Sequence, residues 1–254
     1  SASVRQMLAA RGLTSGSVDV VIEHLGYERE RATAKNKKQR DHRLLEAAIS
    51  DDPHDWYAWL KWLELARYWR DGAMLSKVAA QALAALERSE GAGLMQVPQG
   101  GDLVAALAEV CFSDEPRAAL KFVGWWRDRV APSTVLSLKE GEWRERLGDL
   151  PAAKTAFEQC LRTRDPLGDL QLSTVRPMLG LARLALATQD RPRAAQWVDR
   201  ALQWAPADPE ALLAALVIAR WRHGEPGVQY WVKQHRLRHG DLPELHRALG
   251  DEAL

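Results

Sequence analysis

From residue 38 onward, apolar side chains recur at three- and four-residue intervals, and little of the chain alternates as a strand would. Leu44, Leu45, Ala48 and Ile49 make one such face; Trp59, Trp62, Leu63, Ala66 and Tyr68 make another. Turn-forming groups punctuate these stretches, among them Asp52-Pro53, Asp71-Gly72, Gly148-Asp149, Asp165-Pro166, Asp190-Arg191-Pro192 and His223-Gly224. Such groups stop a helix or cap the next one. Their spacing predicts helices of about 10 to 15 residues with short turns, the arrangement of stacked antiparallel pairs.

The pattern also repeats. "GEWRERLGDLPAAKTAFEQCLRTRDP" carries Gly141 in a first helix, the Gly148-Asp149 turn, Ala153 and Phe157 four residues apart in a second helix, then Pro166. The next unit has Ala182, Asp190 at its turn, Ala194 and Val198 in the same relation, Ala201 and Pro206. An earlier copy has Ala118 and Phe122, with Ala118 lying 35 residues before Ala153. These units resemble tetratricopeptide repeats, whose period is about 34 residues. Small residues at a helix crossing let two backbones approach, a bulky residue one turn later fills the groove between pairs, and proline ends the second helix. Residues 38–53 read as a lone second helix, 55–87 as a Trp-rich pair, and 209–239 as a pair with Tyr230 and Trp231 at the bulky position. The tail "GDLPELHRALGDEAL" reads as a closing helix, because an array must cover its last apolar face.

The expected fold is therefore all-α, a tetratricopeptide-like helical hairpin array (α-solenoid) over 38–254, preceded by a short non-repeat segment, 1–37. Two insertions interrupt it, "RSEGAGLMQVPQGG" at 88–101 and "LGDLQLS" at 167–173; the first, rich in glycine, reads as a mobile loop.

Composition narrows the function more than it defines it. The formal charge of +1 gives no bulk attraction to nucleic acid, although Arg29, Arg31, Lys35, Lys37, Lys38, Arg40 and Arg43 cluster and read as a solvated helical face beside a linker. Cys111 and Cys160 stand far apart, without the spacing of a zinc knuckle or a disulfide framework, which fits a reducing, cytoplasmic setting. No run of 18 apolar residues suggests a membrane span. There is no Gly-x-Ser-x-Gly elbow, no glycine-rich phosphate loop and no pair of aspartates one residue apart. His235 and His239 share a helical face, with His246 following, but neither a cysteine nor a flanking glutamate joins them. They read as a solvent-facing helix terminus rather than a metal site. Of the 11 tryptophans, Trp56, Trp59, Trp62, Trp69, Trp197, Trp204, Trp221 and Trp231 fall where helices pack, whereas Trp125 and Trp126 cannot both face one way.

One junction is more specific. Ile22, His24, Gly26-Tyr27, Lys35, Lys38, Arg40-Asp41, Leu44-Leu45-Glu46, Pro53 and Asp55 follow one another in an order that resembles the place where bacterial family 2 glycosyltransferases pass from catalytic domain to C-terminal repeats. Asp41 stands where that family usually has Asn. The resemblance implies that residues 1–37 hold a remnant of a catalytic domain plus a linker. It also implies that His24 is the position that would lie near a nucleotide sugar and its divalent metal, both of which belong to a catalytic domain upstream and not to this chain. On its residues alone, His24 reads as a histidine packed at a strand end.

The expected function is a protein-interaction scaffold, a repeat module attached to such a transferase that recruits or orients an acceptor or partner protein. The alternative is a free-standing adaptor for an unrelated peptide. Neither reading makes this chain catalytic or gives it a cofactor. Extrapolating the register to the concave, first-helix face selects Glu64, Arg67, Tyr68, Glu142, Glu145, Arg146, Arg183 and Arg220 as peptide-binding candidates. The single asparagine, Asn36, lies outside the repeats and argues against the Asn-Lys clamp on a terminal carboxylate.

Overall fold

The computed structural model describes residues 37–163 and 171–252. His24, with the rest of the N-terminal segment through residue 36, lies outside the described residues. Two compact units divide at Ser1–Asp41 and His42–Leu254. Of the first, residues 37–41 are described, as the opening turn of a helix in which Arg40 pairs with Asp41 at 2.8 Å.

Eleven α-helices and no strands occur among the described residues. They are α1 (Lys37–Asp51), α2 (Trp56–Tyr68), α3 (Gly72–Arg88), α4 (Gly100–Cys111), α5 (Pro116–Trp126), α6 (Thr134–Arg146), α7 (Leu150–Arg162), α8 (Arg176–Ala187), α9 (Arg191–Trp204), α10 (Pro209–His239) and α11 (Pro243–Glu252). Successive helices pack as hairpins, α2 on α3, α4 on α5, α6 on α7 and α8 on α9. The first helices also pack in a row, α2 on α4, α4 on α6 and α6 on α8. α10 is itself a hairpin-like element, broken at Gly224, where φ is 61°. α11 closes the row against α10, with Leu245 and Ala248 buried.

Three of the hairpin turns are built alike, which is the repeat made visible in backbone hydrogen bonds. At the end of α6, Gly148 N–H donates to the Glu145 carbonyl and Asp149 N–H to the Arg144 carbonyl, both at 3.0 Å. This is the Schellman arrangement, and it needs a left-handed residue. Arg70 after α2 and Gln189 after α8 occupy the equivalent place, with φ of 51° and 61°. In each turn the next residue is an aspartate that caps the second helix: Asp71 accepts from Met74 N–H, Asp149 from Ala152 N–H and Asp190 from Arg193 N–H.

Two of the three copies fill the repeat positions as their spacing predicts; in the earlier copy the fully buried pair is Ala119 and Val123, one residue later than expected, and Ala118 and Phe122 are half-buried. Ala153 and Ala194 are fully buried, and so is Phe157. Trp56, Trp59, Trp62, Trp126 and Trp143 are buried as well. Trp126 is 3% exposed and its neighbour Trp125 63%, the split that adjacent helical positions require. Three aromatic expectations fail. Trp204 and Trp221 are 55% and 38% exposed, and of the two residues at the last bulky position Trp231 is half-buried while Tyr230 faces outward. The guanidinium of Arg191 lies over the Trp221 ring at 3.5 Å, so this ring packs against a surface cation instead of the core.

The segment expected to be a glycine-rich loop carries a 3-10 turn at Leu94–Gln96, and Leu94 is fully buried. Trp56 donates its indole N–H to the Ala92 carbonyl at 2.8 Å. Gly100 and Gly101 open α4, and a Cβ on Gly101 would lie 2.4 Å from the Ser133 Cβ. Gly101 thus lets α4 approach the start of α6, while Gly100 leaves room for the Leu94 carbonyl, 2.7 Å from where its Cβ would lie.

Candidate functional site

The row of first helices encloses a groove of about 670 Å³, walled by α2, α4, α6 and the start of α8. Helical periodicity explains which side chains reach it. In α2, Trp56, Trp59, Leu63 and Ala66 are buried, which turns Tyr57, Lys61, Glu64 and Arg67 toward the opening. α6 contributes Lys139 and Glu142 in the same way. Its entry is fixed by Ser133, whose hydroxyl donates to the Asp102 carboxylate at 2.6 Å and accepts from Leu136 N–H at 3.1 Å.

Charges of opposite sign alternate across the helices. Arg67 of α2 pairs with Glu109 of α4 at 2.7 Å, Glu109 with Lys139 of α6 at 2.8 Å, and Lys139 with Glu142 at 2.9 Å. One turn along α6, Glu145 receives two hydrogen bonds from Arg183 of α8, at 2.8 and 2.9 Å. Arg183 and Arg176 both pair with Glu210 at the start of α10. Two lines of ion pairs, one from Arg67 to Glu142 and one from Glu145 to Arg176, therefore span five consecutive first helices, with α6 carrying an end of each. The groove lining itself balances, with Lys61, Arg67, Lys139 and Arg176 against Glu64, Asp102, Glu109 and Glu142.

Proton affinities follow these contacts. Burial raises the Glu109 carboxyl, but the hydrogen bond and charge of Lys139, helped by Arg67, outweigh it and hold the group below the usual carboxylate range. Burial lowers the Lys139 ammonium, and its bonds to Glu109 and Glu142 more than reverse that. The Glu145 hydrogen bonds push the Arg183 guanidinium higher still. All three are charged at neutral pH.

The structure places Glu64, Arg67 and Glu142 in the groove lining, and Glu145 and Arg183 in the second line of ion pairs, outside it. It does not bring Tyr68, Arg146 or Arg220 into the lining. Tyr68 packs edge-on to Trp69 at 5.0 Å, Arg146 donates to the Ser113 carbonyl at 3.0 Å, and Arg220 pairs with Glu225 across the Gly224 break at 2.9 Å. Tyr57, Lys61, Gln99, Asp102, Glu109, Lys139 and Arg176 complete the charged and polar lining, and none of them is among the candidates selected from the sequence. Tyr57 and Lys61 are within reach of sequence reasoning, since they stand two turns and one turn before Glu64 on the same stripe. Asp102 and Glu109 are not, because the helix that carries them opens with a glycine pair.

The histidines differ from expectation. His235 is not a solvent-facing terminus: it is buried, stacked on Trp231 at 4.9 Å and held at 3.1 Å from the Pro206 carbonyl. His239 lies 4.7 Å away, ring to ring, and His246 pairs with Asp241. Among the described residues no group of three or more His, Cys, Asp or Glu side chains is placed to hold a metal ion. Burial pushes the Cys160 thiol up to about 12, so it is no nucleophile. No described helix is long and apolar enough to cross a membrane.

No family model and no curated protein matches the chain. Among solved structures it is similar to PilW, a widely conserved type IV pilus biogenesis factor. The TM-score is 0.61 and the identity 15%, over 87% of this chain and 94% of that one. At that identity the likeness is one of fold. Together with the hairpin packing and the three matching turns, it defines the class: an all-α, tetratricopeptide-like array.

Proposed function

We propose that this chain is a protein-interaction scaffold and that the first-helix groove takes an extended segment of a partner protein. The observation that carries the reading is the groove itself, polar, half-exposed and crossed by paired charges that a partner's side chains can exchange for their own. Because its lining carries as many basic as acidic groups, the partner is selected by the order of its charges, not by net charge. A photo-crosslinking residue at Glu64 or Glu142 tests this against a control at Lys77, which is exposed on α3. The expected result is one adduct from the groove positions alone, whose purified partner binds at least tenfold more weakly to the Arg67→Glu, Lys139→Glu double variant. Equal adducts from Lys77, or unchanged affinity, reject the groove.

The finer reading is that the array serves a family 2 glycosyltransferase, presenting an acceptor or partner in the cytoplasm. Its support is the run of residues from His24 to Asp55. It predicts a reading frame that continues upstream into alternating strands and helices with an Asp-x-Asp pair. A start codon immediately before Val4 removes it and leaves the free-standing adaptor.

A further inference from the structure

The faces of α6 and α8 opposite the groove are also open. Each floors a cleft between the second-helix layers of successive repeats, and the two clefts differ in chemistry. The earlier one, about 550 Å³, lies between residues 127–132 and α7. It is occupied by its own ions: the buried Glu140 carboxylate on its floor accepts from Arg144 at 2.9 and 3.0 Å and pairs with Arg127.

The next cleft, about 350 Å³, has no such filling. Leu181 and Leu184 of α8 form its floor, and Leu150 of α7 and Trp197 of α9 its walls. Arg200 lies over the Trp197 ring at 4.7 Å and fixes that wall. Its rim is basic, with Lys154 on one side and Arg193 on the other. The carboxylate paired with Lys154, Glu158, is at 3.9 Å, and among the described residues Arg193 forms no ion pair. The one acidic group on the rim, Asp190, already accepts the Arg193 backbone N–H as a helix cap. α9 as a whole carries Arg191, Arg193 and Arg200 against Asp199.

We propose that this cleft is a second docking site, for a partner segment in which a bulky apolar side chain stands beside one or two carboxylates. The apolar chain lies on Leu181 and Leu184 against Trp197, and the carboxylates meet Lys154 and Arg193. The volume is near the lower end for ligand pockets, roughly 300–1,000 Å³, and suits one or two side chains rather than a large cofactor. Charge complementarity selects the partner, since an apolar floor under two cations of this kind favours an acidic segment over a neutral or basic one. The site is independent of the groove, because α7, α8 and α9 line it and no residue is shared between the two linings.

The test is fluorescence anisotropy of the full chain with a labelled ten-residue peptide containing Glu-Glu-Phe-Leu between Gly-Ser flanks, and with its Gln-Gln counterpart. Saturable binding is expected for the acidic peptide, at least tenfold weaker for the Gln-Gln peptide and for the Lys154→Glu, Arg193→Glu double variant. Arg67→Glu in the groove leaves it unchanged. Both rim residues are exposed, so the variants fold, and a thermal melt checks that. Absence of saturation by millimolar peptide overturns the proposal, as does equal binding of the Gln-Gln peptide or loss of binding on Arg67→Glu. Sedimentation of the chain alone separates the remaining occupant: self-association dispersed by the rim variants would assign the cleft to a second copy of this chain and overturn the acidic partner.

Discussion

The Phe157 ring fills the notch that Gly141 leaves: a Cβ at Gly141 would lie 2.5 Å from the ring, and one at Gly180 2.7 Å from it. The ring of α7 is thereby held between the backbones of α6 and α8, the point where one repeat is fastened to the next. Gly141→Ala gains helix propensity, roughly 0.5–1 kcal/mol, but drives a methyl into a fully buried ring, and overpacking costs about 1–3 kcal/mol. Net destabilisation is expected in urea denaturation. The double variant with Phe157→Leu should lose less than the sum of the single ones; strict additivity would show that the ring is not the obstacle.

The half of that contact between Gly141 and Phe157 is legible in the sequence because its parts are local: Ala153 and Phe157 lie four residues apart, and Gly141 stands in the first helix before a Gly-Asp turn. Gly180, which belongs to the next repeat, is not singled out. The alternation of Trp125 and Trp126 is legible for the same reason. The line from Arg67 through Glu109 to Lys139 is not, since it joins residues up to 72 positions apart whose alignment depends on how neighbouring hairpins stack. Nor is the burial of His235, which comes from the break at Gly224 that returns the second half of α10 to the Pro206 carbonyl.

Arg70 and Gln189 occupy the place that glycine holds at 148, and all three have positive φ. An L side chain in that conformation costs roughly 1–2 kcal/mol, against a glycine entropy cost of about 0.5–1 kcal/mol. Arg70→Gly and Gln189→Gly are therefore expected to stabilise the array, each by about 0.5–1 kcal/mol. The reverse change, Gly148→Ala, should destabilise it by a similar amount. Thermal melts of the three variants decide the point, and a loss of stability at both 70 and 189 would contradict it.

The adjacent tryptophans should part company on truncation. Trp126→Ala empties a buried site and is expected to cost about 3–5 kcal/mol. Trp125→Ala removes only an exposed ring and its cation-π contact with Arg129, at 4.5 Å, worth about 0.5–1 kcal/mol. Denaturant midpoints at constant slope distinguish the two.

Acid should loosen the line of ion pairs at Glu109. Its folded-state carboxyl lies below the ordinary value, so the stabilisation is fully present above the unfolded pKa, about 4.3, and is lost as pH falls through the folded value. Glu109→Gln should flatten the stability profile in that window, and added salt should flatten it in the wild type, because the carboxylate is part-exposed and screened. If wild type and variant follow the same curve from pH 5 to 3, the Glu109 pairs contribute nothing to folding.

A separate titration is expected nearer neutrality, from His235. Burial depresses its proton affinity, the charges of His239 and Arg238 depress it further, and the contact with the Pro206 carbonyl only partly opposes them. The fold thus prefers the neutral ring. Stability from this group is complete above the unfolded value, about 6.5, and declines as pH falls through the lower folded value, because the unfolded chain binds the proton first. Melting temperature should drop between pH 7 and 5.5, where carboxylates remain ionised. His235→Gln, which keeps a hydrogen-bonding group but does not titrate, should remove that drop. His239→Gln should shrink it by relieving one of the charges that disfavour protonation of His235. A drop of the same size in His235→Gln would mean that the titrating group lies elsewhere.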